Sequence, residues 1–141
     1  SSALTNELLQ SFIAQDCAED PKCPVYLQDK FYVPYPARAH CVKYFSDKTG
    51  IYLHDMTGCE GSNVGQFYCP CGLAIDKYNR LIVCDVDKKR LQLFTLRGKS
   101  SFEQVAGGHF HKGRPYYVAV NNNDNNLFVA DLHNHNVAVF R

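Results

Sequence analysis

Three short pairs of side chains have a spacing that could bind a metal ion: His109-x-His111, His133-x-His135 and Cys69-x-Cys71. In an extended chain, residues i and i+2 point to the same side, so each pair could share one ion. Both histidine pairs fall in predicted loops. Cys-x-Cys is not the Cys-x2-Cys spacing of zinc knuckles, and no second pair lies at a suitable distance. We therefore predict solvated loop histidines, no metal site and no cofactor.

Other signatures of catalysis are absent from the sequence. It contains no Gly-x-Ser-x-Gly elbow, no phosphate-binding glycine-rich loop and no His-Glu-x-x-His motif. Carboxylates such as Asp55, Glu60 and Glu103 have no evident partner for acid–base chemistry. We expect no catalytic residues and no enzymatic activity.

The seven cysteines are many for 141 residues. Cys17 and Cys23 bracket a loop before an apolar segment, and Cys59 and Cys69 bracket the equivalent loop further along. This repeated bracketing predicts two loop disulfides, Cys17–Cys23 and Cys59–Cys69, and favours a secreted protein. The alternative is a cytosolic protein with all thiols reduced. The connectivity of the remaining three cysteines, Cys41, Cys71 and Cys84, stays open. We expect a buried thiol at Cys84.

The elements that must position these residues repeat along the chain. Asp85 and Asp131 lie 46 positions apart, as do Phe94 and Phe140, and each pair ends an equivalent apolar segment. A weaker copy upstream ends at Phe45. A period of about 40 to 50 residues with several short strands per unit is typical of a β-propeller blade.

The second copy resembles the NHL repeat, whose pattern opens with Gly-Gln-Phe and continues through Val-x-Asp to a final Phe. The matching residues of this copy are Gly65, Gln66, Phe67, Pro70, Gly72, Ala74, Asp76, Val83, Asp85, Arg90, Gln92 and Phe94. The third copy keeps Gly113, Pro115, Ala119, Val129, Asp131, Asn134 and Phe140, but departs from the pattern at Tyr117 and Asn136. The resemblance implies structural roles for Asp85, Arg90 and Asp131.

We accordingly predict an all-β fold of NHL-type propeller blades, about three per chain. Residues 1–16 form an outer strand of an incomplete blade, with a helix as the alternative. A degenerate blade spans 17–62, a full blade 63–108, and a blade without its outer strand 109–141. Three blades leave open edges, so a homodimer could close a ring of six, each N-terminal strand completing the partner's last blade. A piece of a longer propeller is the alternative.

Ligand-reading loops of propellers converge on one rim. There this neutral chain, with net charge +1, places cationic and aromatic residues that suit protein contacts or stacked single-stranded bases. The resemblance implies a protein partner or, alternatively, RNA. A peptide-amidating lyase is a weaker alternative, because Val25, Cys71 and Tyr116 replace its metal-binding histidines. We expect no membrane partner. The predicted rim residues are Arg38, His40, Tyr68, Lys88, Lys89, Arg90, Phe110, His111, Arg114, Tyr116, His133 and His135.

Overall fold

A computed structural model describes residues 21–58, 60–97, 101–109 and 113–141. These residues form three antiparallel sheets that follow one another along the chain. Sheet 1 consists of β1 (Val25–Leu27), β2 (Lys30–Tyr35), β3 (Cys41–Ser46) and β4 (Tyr52–Asp55). Sheet 2 consists of β5 (Pro70–Ile75), β6 (Leu81–Asp85), β7 (Arg90–Arg97) and β8 (Ser101–His109). Sheet 3 consists of β9 (Pro115–Asn121), β10 (Asn126–Asp131) and β11 (Asn136–Phe140).

Each sheet is a meander in which consecutive strands pair with each other. In sheet 2, for example, Leu81 of β6 pairs with Ile75 of β5 on one side and with Phe94 of β7 on the other. A single turn of 3₁₀ helix, Val86–Lys88, joins β6 to β7. The predicted all-β fold of blade-like sheets is confirmed. The predicted N-terminal strand, residues 1–16, lies outside the described residues.

The backbone repeats as faithfully as the sequence does. Asp29, Asn79 and Asn125 occupy the hairpin between the first and second strands of their sheets, and all three have a positive φ of 59 to 63°. The loop between the second and third strands has the same property. Its left-handed residues are His40, Lys89 and His135, with φ of 49 to 54°. Since L-residues adopt this conformation at a cost, its recurrence marks three copies of one structural unit.

Sheets 1 and 2 pack face to face around the largest apolar cluster. Tyr32 and Tyr44 from sheet 1 meet Leu73, Val83 and Phe94 from sheet 2, and all are buried. The rings of Tyr32 and Tyr44 lie 5.5 Å apart, a separation at which aromatic pairs attract. This contact is the main core of the molecule and fixes the positions of the loops at the ends of the two sheets.

Sheets 2 and 3 form a second junction of the same kind. Cys84 and Leu91 of sheet 2 pack against Val129 of sheet 3. The backbones approach closely at Gly72, where an added Cβ would lie 2.6 Å from the carbonyl oxygen of Tyr116. Glycine is therefore required at this position by the neighbouring sheet. No helix in the described part of the chain is long and apolar enough to cross a membrane.

Candidate functional site

The loops at one edge of the three sheets are tied together by equivalent backbone hydrogen bonds. The N–H of Asp87, in the loop after β6, donates to the carbonyl of Tyr68, in the segment that enters β5, at 3.0 Å. In sheet 3, the N–H of Leu132 donates to the carbonyl of Arg114 at 3.0 Å. In sheet 1, the direction reverses, and Lys22 N–H donates to Pro34. The entry segment of each sheet is thus bound to that sheet's second strand or the loop after it.

Two aspartates anchor the entry segments, as the resemblance implied. Asp85 Oδ1 accepts the backbone N–H of Tyr68 at 2.6 Å, and Asp131 Oδ1 accepts that of Arg114 at 3.0 Å. Both carboxylates are buried at the ends of the second strands. A carboxylate that accepts a backbone N–H fixes the course of the loop without touching a ligand.

Arg90 belongs to this internal framework and does not present its side chain at the rim. Its Nε donates to Asp85 Oδ2 at 2.8 Å, and its two terminal nitrogens donate to backbone carbonyls of Ser62, Asn63 and Gln66 at 2.7 to 3.2 Å. The residue is buried. Every guanidinium nitrogen is bonded inside the protein, so Arg90 holds the framework together and contributes no free cation to the rim.

Gln92 completes the framework, although the sequence analysis named it only as a matching residue of the repeat and predicted no role for it. Its Nε2 donates to the carbonyl of Gln66 at 2.8 Å, and its Oε1 accepts the N–H of Gly65 at 3.0 Å. The available signal was a polar residue within the apolar run Leu91 to Phe94, because a buried amide needs partners on both its nitrogen and its oxygen. Burial raises the pKa of Asp85 beside it, although Tyr68 N–H, Arg90 and Gln92 oppose that shift.

Above this framework, side chains of all three sheets meet in what we call the rim cluster: His40, Tyr68, Asp87, Lys88 and Arg114. The His40 ring lies 4.5 Å from the Tyr68 ring, and its Nδ1 accepts the N–H of Cys69 at 2.9 Å. Lys88 Nζ lies 5.1 Å from the centre of the Tyr68 ring. Arg114 pairs with Asp87 at 3.2 Å, with both side chains nearly half exposed. Four of the predicted rim residues are therefore brought together.

The charges of the rim cluster are nearly balanced, which the sequence did not reveal. Lys88 and Arg114 of the cluster are cationic, whereas Asp87 of the cluster and the neighbouring Glu60, which is bonded to Tyr68, are anionic. A hydrogen bond to the Glu60 carboxylate, with that charge nearby, raises the pKa of Tyr68 above its ordinary value. The Tyr68 hydroxyl is therefore a neutral donor at pH 7. Aromatic surface with paired charges of both signs suits a mixed polar and apolar ligand.

Three thiols and Tyr116 lie beside the rim cluster. The Sγ atoms of Cys69 and Cys71 are 3.8 Å apart. Burial, with the neighbouring Cys71, raises the pKa of Cys69 to about 12. Cys71 and burial likewise raise the pKa of Tyr116 to about 12, and burial raises that of Cys84. Because the thiolate is the reactive form, these groups are poor nucleophiles at neutral pH.

The two predicted loop disulfides are wrong. Cys23 and Cys69 are both free thiols, so neither can pair with the predicted partner, Cys17 or Cys59, each of which lies outside the described residues. The close neighbour of Cys69 is Cys71, because the left-handed backbone at Cys69, with φ of 67°, precedes the strand on which Cys71 lies. Cys41, whose state the sequence left open, is disulfide-bonded.

The remaining predicted residues are spread around the rim cluster. Arg38 and Lys89 are exposed, and so are His133 and His135. His135 lines a shallow pocket of about 280 Å³ with Leu132 and Val137. Phe110 and His111 lie outside the described residues. Within residues 21–58, 60–97, 101–109 and 113–141, no three or more His, Cys, Asp or Glu side chains are grouped to hold a metal ion.

No protein-family model matches the sequence, and no curated protein matches it. Solved structures do match. An exported protein of Bacteroides fragilis superposes with a TM-score of 0.65 at 15% identity, covering 83% of this chain and 32% of that protein. An auxiliary nutrient binding protein of Bacteroides ovatus superposes with a TM-score of 0.56 at 15% identity, covering 80% of this chain and 35% of that protein.

A third similar structure decides the architecture. It is a catalytically inactive virginiamycin B lyase of Staphylococcus aureus, solved with quinupristin, with a TM-score of 0.60 at 12% identity. The superposition covers 90% of this chain and 43% of the lyase. The fold is built of propeller-type blades. The chain spans a third to two-fifths of the length of these three proteins, and the likeness concerns the fold alone.

Proposed function

We propose that this chain is a non-enzymatic binding module that recognises a protein partner through the rim cluster. The observation that carries the proposal is the convergence of side chains from three sheets on one solvent-facing edge, above a buried framework that holds their loops. Tyr68 offers an aromatic surface flanked by His40 and Lys88. Arg114 and Asp87 offer a cation and a carboxylate at the same edge. Tyrosine and arginine are enriched in the residues that dominate protein interfaces.

The balance of charge favours a protein over the alternative ligand, single-stranded RNA. An RNA groove follows the phosphates with unopposed cations and stacks bases on free aromatic faces. Here the cation of Arg114 is already paired with the Asp87 carboxylate. Asp87 and Glu60 would repel phosphate. A peptide with apolar and charged side chains of both signs meets none of these penalties.

The absence of catalysis is part of the proposal. The groups nearest the rim cluster with nucleophilic atoms, Cys69 and Tyr116, are held in their neutral forms by raised pKa values. A lyase of the peptide-amidating type would require bound metal. Metal analysis of the purified protein is expected to find no stoichiometric zinc or calcium, and finding either would revive the lyase alternative.

We further propose that the protein works outside the cell. The disulfide at Cys41 supports this, since structural disulfides persist in oxidising compartments. Free-thiol titration of the denatured protein before and after reduction checks it. An equal count in the two samples would mean that every thiol is reduced and would favour the cytosolic alternative.

Selection of random peptides displayed on phage against the full chain tests the binding proposal. Selected peptides are expected to lose about tenfold or more in affinity for Tyr68→Ala and for Arg114→Ala. The matched control is Lys77→Ala, an exposed cation on the turn after β5. Peptides that bind all variants equally would contradict the proposal.

A labelled pool of random-sequence single-stranded RNA, measured by fluorescence anisotropy at two salt concentrations, tests the alternative. Tight binding that weakens at high salt and is lost in Lys88→Ala would establish RNA as the ligand. We expect weak binding that Lys88→Ala leaves unchanged.

A further inference from the structure

Two free thiols, those of Cys69 and Cys71, lie next to each other beside the rim cluster. Their Sγ atoms are 3.8 Å apart and share a hydrogen bond. A disulfide bond would bring the two atoms to about 2.05 Å. Only Pro70 separates the two residues, so no second segment of the chain has to move for the sulfur atoms to meet. Among the described residues, no other two free thiols are hydrogen-bonded to each other.

The two thiols differ in their access to solvent. Cys69 is partly buried, whereas Cys71 is fully buried and accepts a hydrogen bond from the Tyr116 hydroxyl of sheet 3. A small molecule in solution therefore meets the sulfur of Cys69 first, and Cys71 lies behind it within reach of that sulfur. An accessible thiol next to a second, resolving thiol is the arrangement found in redox-sensing cysteine pairs.

The peptide units of Cys69 connect the thiol pair to the rim cluster. The N–H of Cys69 donates to His40 Nδ1 of sheet 1 at 2.9 Å, and the His40 ring lies 4.5 Å from the ring of Tyr68. The carbonyl of Cys69 accepts the N–H of Val86 at 3.2 Å, in the 3₁₀ turn that carries Asp87 and Lys88. A change of conformation at Cys69 thus acts directly on both sides of the rim cluster.

We propose that Cys69 and Cys71 are a reversible redox pair whose disulfide changes the geometry of the rim cluster, a role that rests on the binding function proposed above for that cluster. The oxidant is a small disulfide of the glutathione disulfide class. The residue Cys69 is in the left-handed region, with φ of 67°, and its backbone is held by His40 and Val86. Closing the disulfide rotates the Cys69 side chain towards Cys71 and alters this backbone.

The oxidation takes place in two exchange steps. The Cys69 thiolate attacks one sulfur of glutathione disulfide, forms a mixed disulfide and releases one glutathione thiolate. The sulfur of Cys71 then attacks the Cys69 sulfur, forms the Cys69–Cys71 bond and releases the second glutathione. The two cysteine thiols lose two electrons and two protons, and the two glutathione molecules that leave gain them.

The same ring that forms easily from neighbouring thiols is also easily opened. A disulfide that encloses one intervening residue departs from relaxed geometry, and strained disulfides are the more readily reduced ones. Reduced glutathione is therefore expected to restore the two thiols. Burial raises the pKa of Cys69 to about 12, so exchange should be slow at neutral pH and faster as the pH rises.

Mass mapping in glutathione buffers tests the redox pair. The full chain is equilibrated at several ratios of reduced to oxidised glutathione, quenched with acid, unfolded and alkylated. The peptide that contains Cys69 and Cys71 is expected to lose two hydrogen atoms in the oxidised buffers and to regain them in the reduced ones. Cys71→Ser should stop at a mixed disulfide between Cys69 and glutathione.

The matched control for the mass experiment is Cys23→Ser, which removes another free thiol and should cycle like the wild type. A wild-type chain that stops at the mixed disulfide would overturn the proposal. A chain that instead joins Cys71 to Cys84 would overturn it as well, because Cys69 would then keep its thiol.

The NMR signals of the Cys69 amide and the His40 ring report the effect on the rim cluster without any ligand. Both should shift between the oxidised and reduced wild type, and the His40 signals should stay in place in Cys69→Ser under the same buffers. Peptides selected against the chain are expected to bind the two states with affinities that differ at least about threefold. Unmoved signals or equal affinities would refute the effect on the cluster. A chain that selects no peptide would contradict the proposed function, whereas the mass and NMR results would still decide the redox pair.

Discussion

Arg90 donates its Nε hydrogen to Asp85 Oδ2 at 2.8 Å, and both side chains are buried between the second and third strands of sheet 2. The pair also binds the segment that enters the sheet, through the N–H of Tyr68 and the carbonyls of Ser62 and Gln66. A side-chain pair inside the blade therefore determines where the rim cluster lies. The same side-chain atoms therefore contribute both to the stability of the fold and to the geometry of the candidate site.

Replacing Arg90 with Met is expected to lower the free energy of unfolding by about 3–5 kcal/mol, because it leaves Asp85 buried without its cation. Chemical denaturation measures the change. The matched control is Arg114→Met, whose partner Asp87 is nearly half exposed, and which should cost no more than about 1 kcal/mol. Equal effects of the two substitutions would show that burial of the Arg90 pair has no energetic importance.

Gly72 is expected to tolerate no side chain. Gly72→Ala would place Cβ within 2.7 Å of the backbone of Tyr116 and Tyr117, and neither sheet can yield without moving its neighbour. We expect a loss of about 1–3 kcal/mol in the free energy of unfolding. Gly108→Ala on β8, with no atom within 4 Å of the added Cβ, is the control and should be neutral or slightly stabilising. A neutral Gly72→Ala would mean that sheets 2 and 3 are not packed as described.

Asp131 should make stability depend on pH. Burial alone would raise its pKa, but hydrogen bonds from the N–H groups of Arg114, Asn134 and His133 and from the Asn134 amide outweigh burial and hold the pKa below 3.8. A group with a lowered folded-state pKa stabilises the protein above its unfolded pKa, and this contribution is lost as pH falls through the folded value.

The comparison of wild type with Asp131→Asn measures this contribution. The wild type is expected to be the more stable of the two at pH 7, and the difference should shrink as pH falls below about 4. Urea denaturation at a series of pH values gives both curves. A difference that stays constant across the series would indicate that the carboxylate charge makes no contribution.

Replacing Lys89 with glycine is expected to raise the free energy of unfolding. It holds a left-handed conformation at φ of 54°, which an L-residue adopts at a cost and glycine does not. After the greater entropy of glycine in the unfolded chain is counted, Lys89→Gly should stabilise by about 0.5–1 kcal/mol. Lys77→Gly, at a turn position without positive φ, should destabilise. Thermal melts of both variants check the sign, and destabilisation by Lys89→Gly would refute the strain argument.

The thiols should react in an order set by burial. Cys23 is exposed, Cys69 is partly buried, and Cys71 and Cys84 are fully buried. Burial also raises the pKa of Cys84, which lowers its thiolate fraction further. Alkylation of the folded protein, followed by peptide mass mapping, should modify Cys23 first and Cys84 only after unfolding. Modification of Cys84 at the rate of Cys23 would contradict its place in the junction between sheets 2 and 3.

The sequence alone determined the fold class and the repeated unit. Alternating apolar residues, turn-forming Asn and Asp residues and the 46-residue spacing are local properties, and each constrains the backbone nearby. The anchoring role of Asp85 and Asp131 could be predicted for the same reason, since it recurs at the same place in each copy.

The state of the cysteines and the character of the rim cluster were decided by the tertiary structure. Cys69 lies beside Cys71, Arg90 turns inward to Asp85, and Asp87 pairs with Arg114, although none of these contacts follows from spacing along the chain. The sequence set Arg90 among both the structural residues and the rim residues, because it could not show which side of the loop was buried. Side-chain direction and the pairing of charges depend on how neighbouring sheets pack, and that packing joins residues from different copies of the repeat.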